Sequence, residues 1–307
     1  MGKEHDPRTI EGVNKILARL NKEYEGLKEK DKKYFDVERL TNPFGDTRIL
    51  NGDINTEVKK VLVGIDMEAQ EILLADRLRE KGKKIDLIIS HHPEGKALVG
   101  LHRVMSLQEG ALEAMGVPIN VAEGIMASRI SEVRRGLMPL NHNRSVDAAR
   151  ILDFPFMCVH TPADNMVNDY LFKMLADKKP EIVGDVMEAL MEIPEYQEAQ
   201  KIDAGPKVIL GKESNRAGKI FVDMTGGTSG SEDSYAKLAI AGVGTIISMH
   251  MGEKHRKEAE KNHINVIIAG HMASDSLGVN QVLDVLEKEG IEIIPCSGLI
   301  RVSRNDS

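Results

Sequence analysis

Short runs of β-branched residues alternate along this chain with longer segments in which apolar residues recur at helical spacing. Apolar positions fall every three or four residues between 10 and 27, which predicts an amphipathic helix there. Residues 58–65 and 85–90 have the length and branching of buried strands, and a helical pattern over 68–81 lies between them. Strand, helix and strand in this order predict a parallel pair. The first part of the chain therefore predicts an α/β fold.

The same alternation continues to the end of the chain. We predict further strands at 117–121, 156–160, 207–210, 219–224, 244–249, 264–269 and 291–295. We predict further helices at 108–115, 128–137, 145–152, 165–177, 181–191, 233–241, 253–262 and 276–289. The charged run at 28–33 is typical of a solvated helix end, and the Pro, Gly, Asp and Asn of 42–55 predict a loop. No internal repeat or long linker is visible, so residues 1–307 are treated as one unit, with two lobes as an option.

Two adjacent histidines, His91 and His92, follow the predicted strand 85–90, and Pro93 ends that strand. Open α/β sheets bind ligands beyond the carboxyl ends of their strands, where these two imidazoles fall. Because neighbouring side chains diverge, the pair suits two ions side by side better than it suits one ion.

Two later strand ends carry metal-ligand types as well. The predicted strand 156–160 leads to Asp164, and an apolar run over 266–270 leads to His271, with Asp275 four residues further on. A His and an Asp at that spacing share one face if a helix begins there. Imidazole with carboxylate suits Zn, Mn, Fe, Co or Ni better than Ca, and a carboxylate between two ions is usual in two-metal hydrolytic sites. Any one of these strand ends has an ordinary explanation, such as an acid in the first turn of a helix, but the three together favour a metal site.

Several other residues are candidates for supporting roles. His160 can hold Asp164 or a metal-bound water by hydrogen bonding. His250, His255 and His263 do not share a helix face well, so surface or supporting roles are expected for most of them. The glycine turn at 226–230 could form an anion nest or simply a tight turn, and it lacks the Gly-Lys-Ser/Thr ending of a P-loop.

Composition limits the classes of function. The chain has 307 residues, 41% hydrophobic and 29% charged, which is ordinary for a globular protein, and a net charge of −7 argues against broad binding of nucleic acids or anionic membranes. The two cysteines, Cys158 and Cys296, exclude a disulfide framework, and Cys158 in an apolar strand is expected to be a buried free thiol. With no signal-peptide core and no apolar stretch long enough for a bilayer, we expect a cytoplasmic protein.

The ordered motifs resemble the Nif-three-like family, whose members are often catalogued as GTP cyclohydrolase I type-two homologs. The resemblance rests on Asp-Leu-Ile-Ile-Ser-His-His-Pro at 86–93, His-Thr-x-x-Asp at 160–164 and Ala-Gly-His at 269–271, and it extends from about Thr9 to Arg301. It implies an α/β fold of mixed sheets with helices packed outside and a dinuclear divalent-metal site at the C-terminal ends of strands. It also implies a homo-oligomer, commonly a ring-shaped hexamer.

Residue by residue, the resemblance implies that His92 and Asp164 hold one ion and that His91 and His271 hold the other. It also gives His255 the best claim to a supporting role at the site. Asp275 stands where the family usually has a bridging glutamate, which is one methylene longer. Either the backbone approaches more closely in this chain, or the bridge is lost and one of the two sites is weak.

The stretch between Pro93 and His160 is long for the family, and we assign the excess to an insertion near 123–150. The insertion would cover a subunit interface or the metal cleft, with the interface preferred. Two functions remain open for the whole chain. One is a metal-dependent hydrolase that acts on a small-molecule substrate through a metal-activated water, by cyclohydrolase or phosphoester chemistry; the other is a non-catalytic metal-binding protein with an interaction or regulatory role.

Overall fold

Two mixed β-sheets with helices packed around them make up the protein. A computed structural model describes residues 2–305, so Met1 and residues 306–307, at the two ends of the predicted unit, lie outside the described part. The predicted α/β class, with mixed sheets and helices outside, is confirmed. No helix within residues 2–305 combines the length and the apolar character that crossing a membrane requires.

The elements follow the predicted alternation closely. The strands are β1 (Arg48–Asn51), β2 (Lys60–Gly64), β3 (Leu87–Ser90), β4 (Phe156–Cys158), β5 (Lys207–Leu210), β6 (Lys219–Asp223), β7 (Val243–Ser248), β8 (Asn265–Ile268) and β9 (Glu292–Cys296). The helices are α1 (Thr9–Gly26), α2 (Glu29–Lys32), α3 (Ala69–Glu80), α4 (Gly95–Val104), α5 (Leu107–Ala114), α6 (Ile119–Leu137), α7 (Arg144–Ile151), α8 (Thr161–Lys178), α9 (Val183–Leu190), α10 (Pro194–Gln200), α11 (Ser234–Ile240), α12 (Glu253–Lys261) and α13 (His271–Lys288), and a 3₁₀ turn spans Val37–Leu40.

The four strands of the second sheet have the same order as the first four strands of the first sheet, which has β9 as a fifth. The first runs β1-β4-β3-β2-β9 and the second runs β5-β8-β7-β6. In each sheet the first strand in that order is an antiparallel edge and the other pairs are parallel, as predicted for β2 and β3. The three central residues of β2, Val61, Leu62 and Val63, are fully buried, as expected for a parallel strand covered by helices on both faces. The carboxyl ends of the parallel strands are thus fixed by a rigid core.

Two predicted elements are wrong. The predicted loop 42–55 contains the edge strand β1, which pairs with β4 by placing Arg48 opposite Cys158. A four-residue edge strand with a buried arginine has too little apolar alternation to be visible in the sequence. The predicted strand 117–121 instead enters α6, because Pro118 lacks an N–H and its fixed φ suits a helix start. There the β-branched residues lie in the first turn of a helix.

The two helices that carry site residues, α8 and α13, begin four and five residues earlier than predicted. The helix α8 begins at Thr161 and α13 begins at His271, directly after β4 and β8. These helices occupy equivalent positions in the two halves and pack against each other. Gly278 of α13 lies so close to α8 that a Cβ atom there would collide with the carbonyl oxygen of Ala163. The first turn of α8 is therefore held against α13 about two turns from its start.

Candidate metal centre

Three strand ends meet at one place between the two sheets. The end of β3 carries the adjacent histidines, the start of α8 carries an aspartate, and the start of α13 carries a histidine and an aspartate one turn apart. The structure brings together all five predicted ligands and one predicted supporting residue, namely His91, His92, Asp164, His271 and Asp275 with His160. Burial of this cluster is nearly complete at His91 and Asp275, each 1% exposed.

Two groups of donor atoms share Asp275, and a third possible group consists of His91, His92 and His160. In the first group, His91 Nε2 lies 3.4 Å from Asp164 Oδ1 and 3.5 Å from Asp275 Oδ1. In the second group, Asp275 Oδ2 lies 3.4 Å from His92 Nε2 and 3.5 Å from His271 Nε2. One carboxylate oxygen therefore faces each group. This grouping differs from the one that the family resemblance implied, because His91 lies with Asp164 and His92 lies with His271.

Hydrogen bonds to the other ring nitrogens explain the grouping. His91 Nδ1 is 3.0 Å from the carbonyl oxygen of Val159, and His92 Nδ1 is 2.7 Å from Asp66 Oδ1. Such partners fix the orientation of an imidazole so that its remaining nitrogen points toward a ligand. The two rings, whose centroids are 5.3 Å apart, are thereby directed to different carboxylate oxygens.

His160 supports the first group, and it has a partner that the sequence did not reveal. Its Nδ1 is 2.8 Å from Asp46 Oδ2, and its Nε2 lies 3.7 Å from Asp164 Oδ2. Thr161 Oγ1 donates a second hydrogen bond to the same Asp46 oxygen, at 2.6 Å. Asp46 precedes β1 in the segment predicted to be a loop, and it carries no spacing signal that would connect it with His160.

The charges in the cluster are strongly coupled. Burial opposes protonation of His91, but the Asp275 and Asp164 carboxylates outweigh burial and hold its pKa well above the usual value. Burial likewise opposes ionisation of Asp275, but the neighbouring histidines hold its pKa far below the usual range. Desolvation lowers the pKa of His271, which favours the neutral imidazole that a metal ion requires.

Four of the buried donor atoms have no hydrogen-bond partner among residues 2–305: His91 Nε2, Asp164 Oδ1 and both carboxylate oxygens of Asp275. Buried polar atoms are rarely left without a partner, so their convergence needs a physical reason. Two ligands at about 2.1 Å from a tetrahedral ion lie roughly 3.4 Å apart, which matches the separations measured in both groups. The residues present therefore fit divalent metal ions.

The remaining histidines divide between the cluster and its surroundings. The ring centroid of His250 lies 4.9 Å from that of His271, so His250 is next to the second group. His255, which the family resemblance favoured, has its Nε2 3.0 Å from the carbonyl oxygen of Gly230 and takes part in none of the donor groups. His263 is exposed. Cys158 is a buried free thiol, as predicted, and burial raises its pKa.

A cavity adjoins the cluster, and the glycine turn forms part of its wall. Asp164, His271 and Asp275 line this cavity together with residues of the second sheet. Gln108 fixes the turn, because its Nε2 donates hydrogen bonds to the carbonyl oxygens of Gly226, at 2.9 Å, and Thr228, at 2.6 Å. The sequence left two roles open for the glycine turn, an anion nest or a tight turn. A tight turn held beside the site is the simpler of the two.

Comparison with solved structures agrees with the motifs. The chain is similar to a NIF3 superfamily protein from Sphaerobacter thermophilus, with 27% identity and a TM-score of 0.76 over 86% of this chain and 95% of that one. It also has the fold of reduced HcgD from Methanocaldococcus jannaschii, with 17% identity and a TM-score of 0.53 over 87% of this chain and 94% of that one. No protein-family model and no curated protein matches the chain. The predicted resemblance to the Nif-three-like family is confirmed, and the chain has the Nif-three-like fold.

Proposed function

We propose that the cluster binds two divalent metal ions and that the protein is a metal-dependent hydrolase. The observation that carries this proposal is the position of Asp275, which turns one unpartnered oxygen toward each of two donor groups. His91 and Asp164 would complete the first group, and His92 and His271 the second. Two ions held side by side in this way would supply Lewis acidity and lower the pKa of a bound water.

The open character of both groups supports catalysis over a purely structural role. Each group offers three protein donors, as catalytic metal sites do, whereas structural zinc sites usually have four. The cavity beside the cluster gives a small molecule a route to it. The nitrogen and oxygen donors suit Zn, Fe, Mn, Co or Ni.

The protein's own residues can also handle protons at this site. His160 is buried, its Nδ1 is held by Asp46, and its Nε2 faces the Asp164 side of the first group. Asp46 keeps the imidazole in one orientation, which is the arrangement of a positioned general acid or base. We assign His160 the role of holding or moving a proton at Nε2, and Asp46 the role of positioning it.

Metal analysis of His91→Ala/His92→Ala tests the metal site. The double variant removes one donor from each group, so we expect plasma emission spectrometry to find no bound metal. His263→Ala, which changes an exposed histidine outside the cluster, should keep the metal content of the unmodified protein. Unchanged metal in the double variant would refute the site.

The hydrolase part needs a separate measurement. Protein reconstituted with each candidate metal should hydrolyse at least one member of a panel of phosphoesters, nucleotides and cyclic amidines. His160→Ala should reduce that turnover while the metal content stays the same. A fully metal-loaded protein that turns over none of the panel would favour the non-catalytic metal-binding alternative.

A further inference from the structure

The wall of the cavity formed by the second sheet carries a second set of polar groups that the metal site does not use. Asp223 is the last residue of β6, and Tyr235 and His255 come from α11 and α12. All three line the cavity that Asp164 and Asp275 also line. The place is chemically suitable for a ligand, since the carboxyl ends of parallel strands are the usual binding edge of an open α/β sheet.

The Asp223 carboxylate and the Tyr235 hydroxyl are left without partners. No hydrogen bond from any residue within 2–305 reaches either group; Asp223 is half-buried and Tyr235 is buried. His255 is already engaged with Gly230 through Nε2, and its ring makes an edge contact with the Tyr235 ring at 5.9 Å. Burial raises the pKa of Asp223 to about 6, so the group is charged at neutral pH at a cost in free energy.

The other lining residues define what this end of the cavity accepts. The apolar part of the cavity wall is one cluster that includes Tyr235, and its other lining members are Leu112, Met126, Phe221, Leu238 and Ile246. No Lys or Arg is found among the described residues that line the cavity, so an anionic group would meet no countercharge there. A carboxylate between apolar walls is complementary to a flat group that presents N–H donors, and most of all to one with positive charge.

We propose that Asp223, Tyr235 and the apolar walls around them form a binding subsite for a flat, partly apolar group with adjacent N–H donors, such as an amidine or an amino-heterocycle. The Asp223 carboxylate would accept both N–H bonds, and the Tyr235 hydroxyl would bind a further polar atom of the ligand. We expect the rest of the same molecule to reach the metal ions, and this expectation rests on the proposed function. Binding of a ligand in the subsite itself does not depend on the proposed function.

Benzamidine is the probe for this test, with benzamide as its neutral counterpart and benzoate as its anionic one. Calorimetry on the full chain should show one benzamidine site, with roughly ten- to a hundredfold weaker binding in Asp223→Asn, because one charged hydrogen-bonding partner is lost. Benzamide and benzoate should bind the unmodified protein more weakly by a similar factor. Asp233→Asn, the same substitution at an exposed position ten residues away, should bind benzamidine normally.

The outcomes separate this subsite from the metal centre. Asp223→Asn should keep its full metal content, and His91→Ala/His92→Ala should still bind benzamidine. Absence of saturable benzamidine binding, equal binding by Asp223→Asn, or preference for benzoate would overturn the subsite and leave the metal proposal intact. Loss of metal from Asp223→Asn would also overturn it, because Asp223 would then act on the metal centre. Benzamidine binding by the unmodified protein, together with no metal in that unmodified protein, would refute only the proposed function.

Discussion

Asp275 reaches both donor groups although it is one methylene shorter than the glutamate usual in the family. The helix α13 begins at His271, directly after Gly270, whose φ of 104° is a left-handed value that favours glycine. A side chain at Gly270 would also meet the carbonyl oxygen of Ala204. Glycine at this position therefore lets α13 begin at His271, and the two oxygens of Asp275 face different groups. That Asp275 bridges two ions stays a prediction.

A shared Asp275 makes a specific prediction about affinity. Asp275→Asn should weaken both metal sites, each by at least about tenfold, which is the smallest loss seen when an outer partner of a ligand is removed. His92→Ala should weaken one site strongly and the other little, because only the second of the two groups that share Asp275 contains His92. Titration calorimetry on apo protein measures both effects. If Asp275→Asn affected a single site, the carboxylate would not bridge.

The Asp223 carboxyl makes a prediction about stability and pH. Its pKa is about 6 in the folded protein and near 3.8 in the unfolded chain, so the folded state is penalised as pH rises through that range. Asp223→Asn should match the unmodified protein near pH 4 and exceed it in free energy of unfolding by about 1–3 kcal/mol at pH 8. Urea denaturation at the two pH values measures the difference. Asp233→Asn should show no such pH dependence, and a constant difference for Asp223→Asn would contradict the prediction.

Residues next to a recognisable strand could be predicted, and residues that reach the site by long-range contacts could not. His91 and His92 follow a strand directly, and their position alone indicated a ligand role. Asp46 lies 114 positions before its partner His160, and only the antiparallel pairing of β1 with β4 brings the two together. The sequence placed Asp223 within a predicted strand, but the apolar walls that make it unusual come from other elements.

At the scale of elements, the helix pair α8 and α13 sets the distance between Asp164 and Asp275. Gly278→Ala would place a methyl group against the carbonyl oxygen of Ala163 and force the helices apart. We expect a loss of about 1–3 kcal/mol in the free energy of unfolding, together with weaker metal binding.

The matched control for this substitution lies in another helix. Gly124 of α6 has open space where a Cβ would be, so Gly124→Ala should stabilise the protein by about 0.5–1 kcal/mol and leave metal binding unchanged. Thermal unfolding and metal titration of both variants provide the comparison. Equal behaviour of the two would show that the contact between α8 and α13 does not control the site.

The order of elements was more predictable than their boundaries. Periodicity predicted most strands within one or two residues, because buried parallel strands are continuous apolar runs. It misassigned residues 117–121, because Val117, Ile119 and Val121 favour a strand locally while the rest of α6 packs on the core as a helix. The starts of α8 and α13 were placed four or five residues late, although the His-to-Asp spacing at both sites is helical.

At the scale of the whole molecule, the two sheets are built to one plan that the sequence did not reveal. Each half places a Ser-x-His segment after its middle parallel strand, and in both halves the serine Oγ donates to the histidine carbonyl oxygen: Ser90 to His92 at 2.7 Å, and Ser248 to His250 at 2.9 Å. Each half also begins a helix with a His-x-x-x-Asp segment, at 160–164 and 271–275. Such short segments are too common in sequences to indicate a repeat. Their equivalence is recognised only when the strand orders of the two sheets are compared.

The last prediction concerns assembly. The segment 123–150 has one part that lines the cleft and another that is exposed. Met126 lines the cavity and Arg129 Nε binds the carbonyl oxygen of Ser229 at 3.0 Å, so this part of α6 serves the cleft.

Met138 and Leu140, just beyond α6, are 63% and 50% exposed and have the apolar character of an interface. We expect a closed homo-oligomer, with a hexamer favoured by the family resemblance, and a mass by light scattering of six times the 33.9 kDa of one chain. Met138→Glu/Leu140→Glu should lower that mass, while Ile54→Glu, at another exposed apolar position, should not. An unchanged mass in the double variant would assign the segment to the cleft alone, and a monomeric unmodified protein would refute the assembly itself.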